Sequence, residues 1–312
     1  MKGEVWAMEN PVIAPHEKKR RPSSFHRLRR RWKRARPAAF LLLSLISVLM
    51  LLPIIFTFLY SFFPMSEISA YLKGRNNYDS TKWMDLLFSP AQVSLRQYYK
   101  IMIEEPQYLK LFVNSAVYGC AILLGQAVVI PMTAYGLSRF RFKGRDALFF
   151  LVLVLMLLPF QVTMAPSVMT LKSLGLLNTP WAVIIPMWFS PFYLFLVRQF
   201  MLGLPNELIE AGQVDGAGTF RCLMQVTLPV CRPIIGASVA LSFADSWNMV
   251  EQPLIYLSDA SKQPLSVMFN QISTDSANIA FAGAALYLLP MLLVYLYFQD
   301  DILLGVQLSE LK

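Results

Sequence analysis

Hydrophobic positions along this chain gather in blocks of about 20 residues, the length that crosses a hydrocarbon core ~30 Å thick. The blocks cover residues 38–63, 111–137, 147–170, 181–200, 233–255 and 278–298. They predict an all-α membrane protein with six transmembrane helices. Polar segments divide the chain further. Residues 1–37 form a basic tail, 64–110 a mixed segment long enough for one or two short helices, 201–232 a connector with two helical stretches, and 300–312 a closing tail. Residues 111–299 form a membrane core around that connector. The run Ala38–Phe63 exceeds the 7–15 residues of a signal-peptide core and lacks an obvious small-residue cleavage site, so it reads as a span.

Orientation follows from Lys and Arg in short loops. Eleven of them lie between Lys18 and Arg36. The loop 138–146 carries four more, and Arg198, Arg221 and Arg232 border or occupy the 201–232 connector. With six spans, all three basic segments fall on one side, which places both termini and the connector in the cytoplasm. In the tail, Phe25, Leu28 and Trp32 recur at helical spacing among the basic residues, as in an interfacial helix or an unstructured segment. The apolar run that follows makes the anionic inner leaflet a better partner for this tract than nucleic acid. The tract also serves as a plain topology signal.

Composition narrows the chemistry. Apolar residues make up 56% of 312 positions and charged ones 15%, with mean hydropathy +0.48; soluble domains lie nearer a quarter charged. The only histidines, His16 and His26, are in the tail, and Cys120, Cys222 and Cys231 lack metal-ligand or disulfide spacing. Histidine-based catalysis and most zinc chemistry are thereby excluded. No G-x-x-x-x-G-K-[ST] run is present, and Gly216-Ala217-Gly218 lacks the third glycine and preceding strand of a dinucleotide site. The chain is expected to hold no metal or cofactor of its own.

The connector carries the most information. Its sequence from Leu204 to Pro233 is LPNELIEAGQVDGAGTFRCLMQVTLPVCRP. Asn206 is a plausible N-cap with Glu207 in the first turn. Leu208, Ala211 and Gly212 share a face, and Asp215-Gly216 marks the stop. Thr219 is placed to cap a second helix with an apolar stripe at Phe220, Leu223, Met224, Thr227 and Leu228, closed by Pro229. Such a stripe either packs back on its own bundle or seeks a groove on another protein.

Glu210-Ala211-Gly212, then Asp215-Gly216-Ala217, then Leu228-Pro229 resemble the EAA signature of ABC importer permeases. The departure is Gly212, where that pattern has Ala. Asn114-Ser115, Tyr135-Gly136-Leu137-Ser138-Arg139 with Phe142, Leu158-Pro159, Ser246-Trp247-Asn248, Pro253-Leu254 and Leu257-Ser258-Asp259 resemble the carbohydrate branch, in particular the maltose-transporter type of small permease. The likeness covers about residues 38–300. The basic tail is longer than that pattern, and the terminus lacks its small, Gly-ending tail. The resemblance implies a methionine-importer-like core in spans two to six and a cytoplasmic coupling helix. Glu210 would pair with a basic residue of an ATPase, Gly216 would permit the turn, and the helix from Thr219, with Phe220 and Met224, would transmit motion. It also implies a second permease subunit, an ABC ATPase dimer holding ATP and Mg, an extracytoplasmic sugar-binding protein, and a place in the inner membrane.

Polar residues inside the spans suggest a substrate pathway. Asp245 falls near the middle of span five, where a charge costs ~3 kcal/mol unless it faces a cavity or partner. Asn248 and Gln252 follow at helical spacing, Trp247 and Glu251 lie beside it, and Gln161 is in span three. Asp245, Trp247, Asn248, Glu251 and Gln161 together offer the carboxylates, amides and aromatic face of a sugar site; helix packing or a gate explains the same pattern. The prolines in or near the spans fit ordinary kinks or broken helices lining a pathway. Gly236, Ala237, Ala240 and Ala282 to Ala285 fit close helix approach, within the bundle or against a partner. An ion-coupled secondary transporter using Asp245 is the alternative, although no internal repeat is visible. A membrane enzyme is disfavoured by the lack of clustered His, Cys or paired carboxylates.

Overall fold

The computed structural model describes residues 24–69, 90–270 and 277–310, and its described residues are helical with no strand. The first 23 residues, Gly74 to Asp79, Asp275 and the last two positions lie outside it, as do the side chains of His26, Phe25, Leu28 and Trp32. The chain divides into two units, residues 1–55 and 56–312.

Most of α1, Ser24–Tyr60, belongs to the first unit. The backbone of the tail is therefore helical from Ser24 and continuous with the span. The apolar side chains of this unit are largely exposed, as suits a helix solvated by lipid.

The second unit contains α2 (Pro106–Arg139), α3 (Arg145–Leu157), α4 (Phe160–Ser173), α5 (Trp181–Trp188), α6 (Pro191–Leu202), α7 (Asn206–Val214), α8 (Thr219–Val230), α9 (Arg232–Trp247), α10 (Glu251–Tyr256) and α11 (Ala277–Glu310). Among the described residues, four helical stretches are long and apolar enough to cross a membrane: Ala39–Tyr60, Pro106–Arg139, Trp181–Leu202 and Ile279–Gly305. The number rises to six if the bent pairs α3–α4 and α8–α9 each count as one span.

The expected third span, 147–170, is not one straight helix: the chain turns by 108° between α3 and α4. Pro159 has no N–H and disfavours helical geometry at Leu158, so the hydrogen-bond ladder stops there. The expected fifth span, 233–255, ends early at Trp247. The helix after the last loop does not stop near residue 298 but runs through Glu310, so the expected closing tail is mostly helical. At 34 residues each, α2 and α11 are about 50 Å long and overshoot the hydrocarbon core.

Three helix ends leave a backbone carbonyl without its usual partner, and a side chain from elsewhere takes it. Between α5 and α6, Pro191 cannot donate to the Met187 carbonyl; buried Gln126 of α2 does so instead, Nε2 to O at 2.7 Å. The Gln126 Oε1 accepts from Ser242 Oγ of α9, tying three elements together. After α9, Pro253 cannot serve the Met249 carbonyl, and Ser266 Oγ donates to it at 2.5 Å. At the end of α1, Gln97 Nε2 donates to the carbonyls of Tyr60 (3.2 Å) and Phe63 (2.6 Å). Trp188 lies against Gly125, leaving no room for a Cβ there, and donates Nε1–H to the Ala121 carbonyl at 3.0 Å.

The small residues of α9 and α11 are used within the chain. Gly236 is covered by Asp301, Gly305 lies on Ala237 and Ile234, and Gly283 on Tyr108 and Phe269. At the end of the bundle that carries α10, the loop through Ser258–Gln263 is tied down. Asn114 Nδ2 reaches the carbonyls of Ser261 and Gln263 (both 3.0 Å), and Tyr118 OH donates to Lys262 O. Lys262 Nζ donates to the carbonyl of Asn178 at 2.8 Å. The Ser261 N–H holds the Asp259 carboxyl below the usual carboxylate range.

Replacing Gln126 with Leu strands the Met187 carbonyl and the Ser242 hydroxyl in the interior. The expected loss is about 1–3 kcal/mol, read as a lower thermal midpoint of the purified protein in detergent. Replacing exposed Leu124 with Ala is the control and should leave the midpoint nearly unchanged.

Candidate functional site

The connector folds as two helices joined by a closed turn. Pro205 and Gly218 occupy the N-cap positions, so Asn206 and Thr219 are first helical residues and not the caps expected from sequence. The reason is local: Pro205 has extended geometry ready-made, and Gly218 enters α8 from an extended conformation. Asn206 is put to another use, accepting from Arg139 Nη1 at 2.5 Å. At the other end of α7, Gly216 has φ +80°. Ala217 N–H returns to the Gly212 carbonyl and Gly216 N–H to that of Gln213. This is a Schellman closure, which needs the left-handed residue that glycine supplies at little cost.

α7 lies on α8 through Gly212, whose missing side chain faces Val226 and Cys222. A Cβ there would make ordinary contact at 3.4–3.5 Å, so either Gly or Ala fits. The stripe of α8 splits in two. Cys222 and Leu223 are buried with Ile209 in a core shared with α2, α6 and the start of α9, and Thr227 is buried too. Phe220 and Met224 point outward, as do Leu208 and Val214 of α7, with Phe220 61% and Val214 87% exposed. A π-helical stretch, Cys222–Thr227, widens the helix where these two groups part. Packing on its own bundle therefore holds for Cys222, Leu223 and Thr227, while Phe220 and Met224 stay uncovered. Glu210, Ala211, Asp215 and Gly216 are exposed on the same element, and Ala217 is half-buried. Glu210 has no hydrogen-bond or ion-pair partner among the described residues.

The five pathway candidates do not form one cluster. Asp245 lies near the end of α9, not in the middle of a span, and accepts from the Tyr193 hydroxyl at 2.5 Å. Tyr193 was not singled out from sequence, because its pairing crosses from α6 to α9. Gln161 at the start of α4 and Glu251 at the start of α10 are both exposed, with Nε2 and Oε1 3.5 Å apart. The pair bridges two helix breaks. Asn248 is exposed and bonds within its own turn to Ala244 O, and its Oδ1 is 3.0 Å from the Tyr287 hydroxyl. The helical register expected from Asp245 through Asn248 to Gln252 is interrupted at residues 248–250. Trp247 is buried, stacked between Phe243 and Tyr287, with Nε1–H on the Tyr287 carbonyl. It offers no free face. None of the five lines the small apolar cleft bordered by Gln126, Ile130, Tyr193, Val197, Ile235 and Ser238. Among the described residues no group of His, Cys, Asp or Glu could hold a metal.

Residues 109–300, from the first turn of α2 to the later turns of α11, match the family described as binding-protein-dependent transport system inner membrane component. The chain is 30% identical over 280 residues to the arabinooligosaccharides transport system permease protein AraQ of Bacillus subtilis, covering 89% of this chain and 96% of that one. AraQ of Halalkalibacterium halodurans is 29% identical over 272 residues, covering 86% and 94%. The sn-glycerol-3-phosphate transport system permease protein UgpE of Yersinia pestis is 32% identical over 205 residues, covering 64% and 73%. Among solved structures, a chain of a bacterial ABC transporter involved in the import of the acidic polysaccharide alginate has the same fold. Its TM-score is 0.71 at 20% identity, covering 84% of this chain and 94% of that one.

Gly216 is the test of the turn. Gly216→Val forces a β-branched residue to φ +80° and is expected to destabilise by about 1–2 kcal/mol, whereas Gly216→Asn, which tolerates that region, should cost less. Thermal unfolding of the two purified variants ranks them.

Proposed function

The chain belongs to the family of binding-protein-dependent transport system inner membrane components, and from that premise we propose that it is the transmembrane permease subunit of an ATP-binding-cassette importer for an oligosaccharide or glycoside. One observation carries the reading: a closed helix–turn–helix whose inner side is sealed into the bundle while its outer side shows Leu208, Val214, Phe220 and Met224 uncovered. An apolar helical face outside a lipid-crossing segment fits a groove on another protein. Full burial of such a side chain is worth about 1.5–3 kcal/mol, so these four supply a docking energy of several kcal/mol. Exposed and unpaired Glu210 adds a charge for a basic residue on the partner.

The partner is an ABC ATPase dimer, which holds ATP and Mg; this chain catalyses nothing and borrows the energy. A second permease subunit completes the membrane channel, and an extracytoplasmic binding protein delivers the sugar. In this arrangement α3 with α4 makes one bent span and α9 with the residues on to Tyr256 makes another, α8 staying outside the membrane, which gives six, with spans two to six forming a methionine-importer-like core. The basic segments place both termini and the connector in the cytoplasm. The tied-down loop around Asp259 and Lys262 then faces the binding protein. The two relatives covered over most of their length bear names for arabinooligosaccharide transport, which favours an oligosaccharide. Asp245, Asn248, Gln161 and Glu251 remain the pathway candidates, at helix breaks where backbone and side chains can meet a solute. Trp247 serves packing.

Two measurements test this. Glu210→Lys and the pair Phe220→Ala with Met224→Ala should each reduce ATPase co-purifying with the permease by about tenfold or more. Undiminished co-purification in both refutes the docking face. For the pathway, Asp245→Asn and Glu251→Gln should lower uptake of labelled arabinooligosaccharides while the complex stays assembled; normal uptake in both removes these residues from it.

A further inference from the structure

Helices α2 and α6 end beside one another, and each end is closed by an arginine of the other. The last carbonyls of a helix have no partner inside it and carry the negative end of its dipole. Arg198 of α6, buried with its guanidinium 3.6 Å over the Phe149 ring, donates Nε–H to the Leu137 carbonyl near the end of α2 at 3.2 Å. Arg139, the last residue of α2, donates Nη2–H to the carbonyls of Met201 (2.5 Å) and Leu204 (3.0 Å) where α6 ends. Its other arm, Nη1, crosses to Asn206 Oδ1, the first residue of α7. One rigid guanidinium, carried by the last residue of α2, thus touches both the end of α6 and the start of the connector.

We propose that Arg139 is a positioning residue that carries displacement of α7 into α2 and α6, so that these move as one body when the connector is pulled. The inference rests on α7–α8 being the ATPase contact. The covalent route from α6 to α7 is only Gly203, Leu204 and Pro205. The planar fork of arginine stiffens it, because donors of fixed geometry reach the end of the span and the connector at once; a lysine ammonium is a single point and cannot hold both. The Arg139 Nε–H is buried without an acceptor. The guanidinium is therefore placed by where its two arms reach and not by maximal pairing.

The experiment uses the complete transporter in lipid nanodiscs, with the cognate binding protein as purified, and reads ATP hydrolysis with and without it. Asn206→Ala removes the arm to the connector and leaves the contacts of Arg139 with Met201 and Leu204. It should retain the ATPase subunit, yet binding-protein stimulation of hydrolysis should fall at least about fivefold, the scale set by one lost charge-assisted hydrogen bond. Asn206→Asp restores an acceptor and should recover stimulation to within about twofold. Arg139→Lys should resemble Asn206→Ala. Full stimulation in Asn206→Ala overturns the proposal. Loss of the ATPase subunit from that variant also overturns it, since Asn206 would then be a docking residue. Wild-type complex that holds no ATPase refutes the permease reading itself, a result distinguishable from either.

Discussion

The constraint that organises this fold is that a backbone carbonyl has nowhere to turn in hydrocarbon except to another part of the protein. Straight helices satisfy it automatically. This chain does not keep its helices straight: prolines stop the ladder at residues 159, 191 and 253, and α2 and α6 both end beside the connector. The carbonyls so released determine which side chains must be polar. Gln126 answers Met187, Ser266 answers Met249, Gln97 answers Tyr60 and Phe63, and the two arginines answer Leu137, Met201 and Leu204. Much of the polarity buried in this membrane protein is thus architectural, and it holds breaks open where a transporter needs them.

That view separates the polar residues that serve the solute from those that serve the fold. Trp247 is locked by a reciprocal exchange with Tyr287, indole to carbonyl and hydroxyl to carbonyl, whereas Asp245 is exposed and accepts a single bond, from Tyr193. Gln161 and Glu251 are tied only to each other, and loosely. Polar groups with weak internal ties are the ones free to exchange them for a sugar hydroxyl.

Legibility from sequence followed the range of the interactions. The turn at Gly216 was readable because a glycine after an Asp at the end of an apolar pattern has a local meaning. The apolar blocks located the helices, since each depends on its own composition. The end of α9 was not readable, because it depends on Ser266 reaching back to Met249 across a loop. The 108° turn at Pro159 was not either, since proline within a span more often bends a helix than ends it. Asn206 and Thr219 looked like caps by residue type; the geometry of Pro205 and Gly218 displaced each by one position. Trp247 illustrates the remaining gap: beside a carboxylate and an amide an aromatic suggests a sugar platform, and only the positions of Phe243 and Tyr287 reveal that both of its faces are taken.

The two-sided character of α8 has an evolutionary corollary. Cys222, Leu223 and Thr227 answer to the chain's own interior, whereas Phe220 and Met224 answer to whatever lies outside. Substitutions in the outer set leave the bundle untouched. Under the proposed docking role, a lineage could therefore change its ATPase partner by altering a handful of surface positions, with the fold itself exerting no veto.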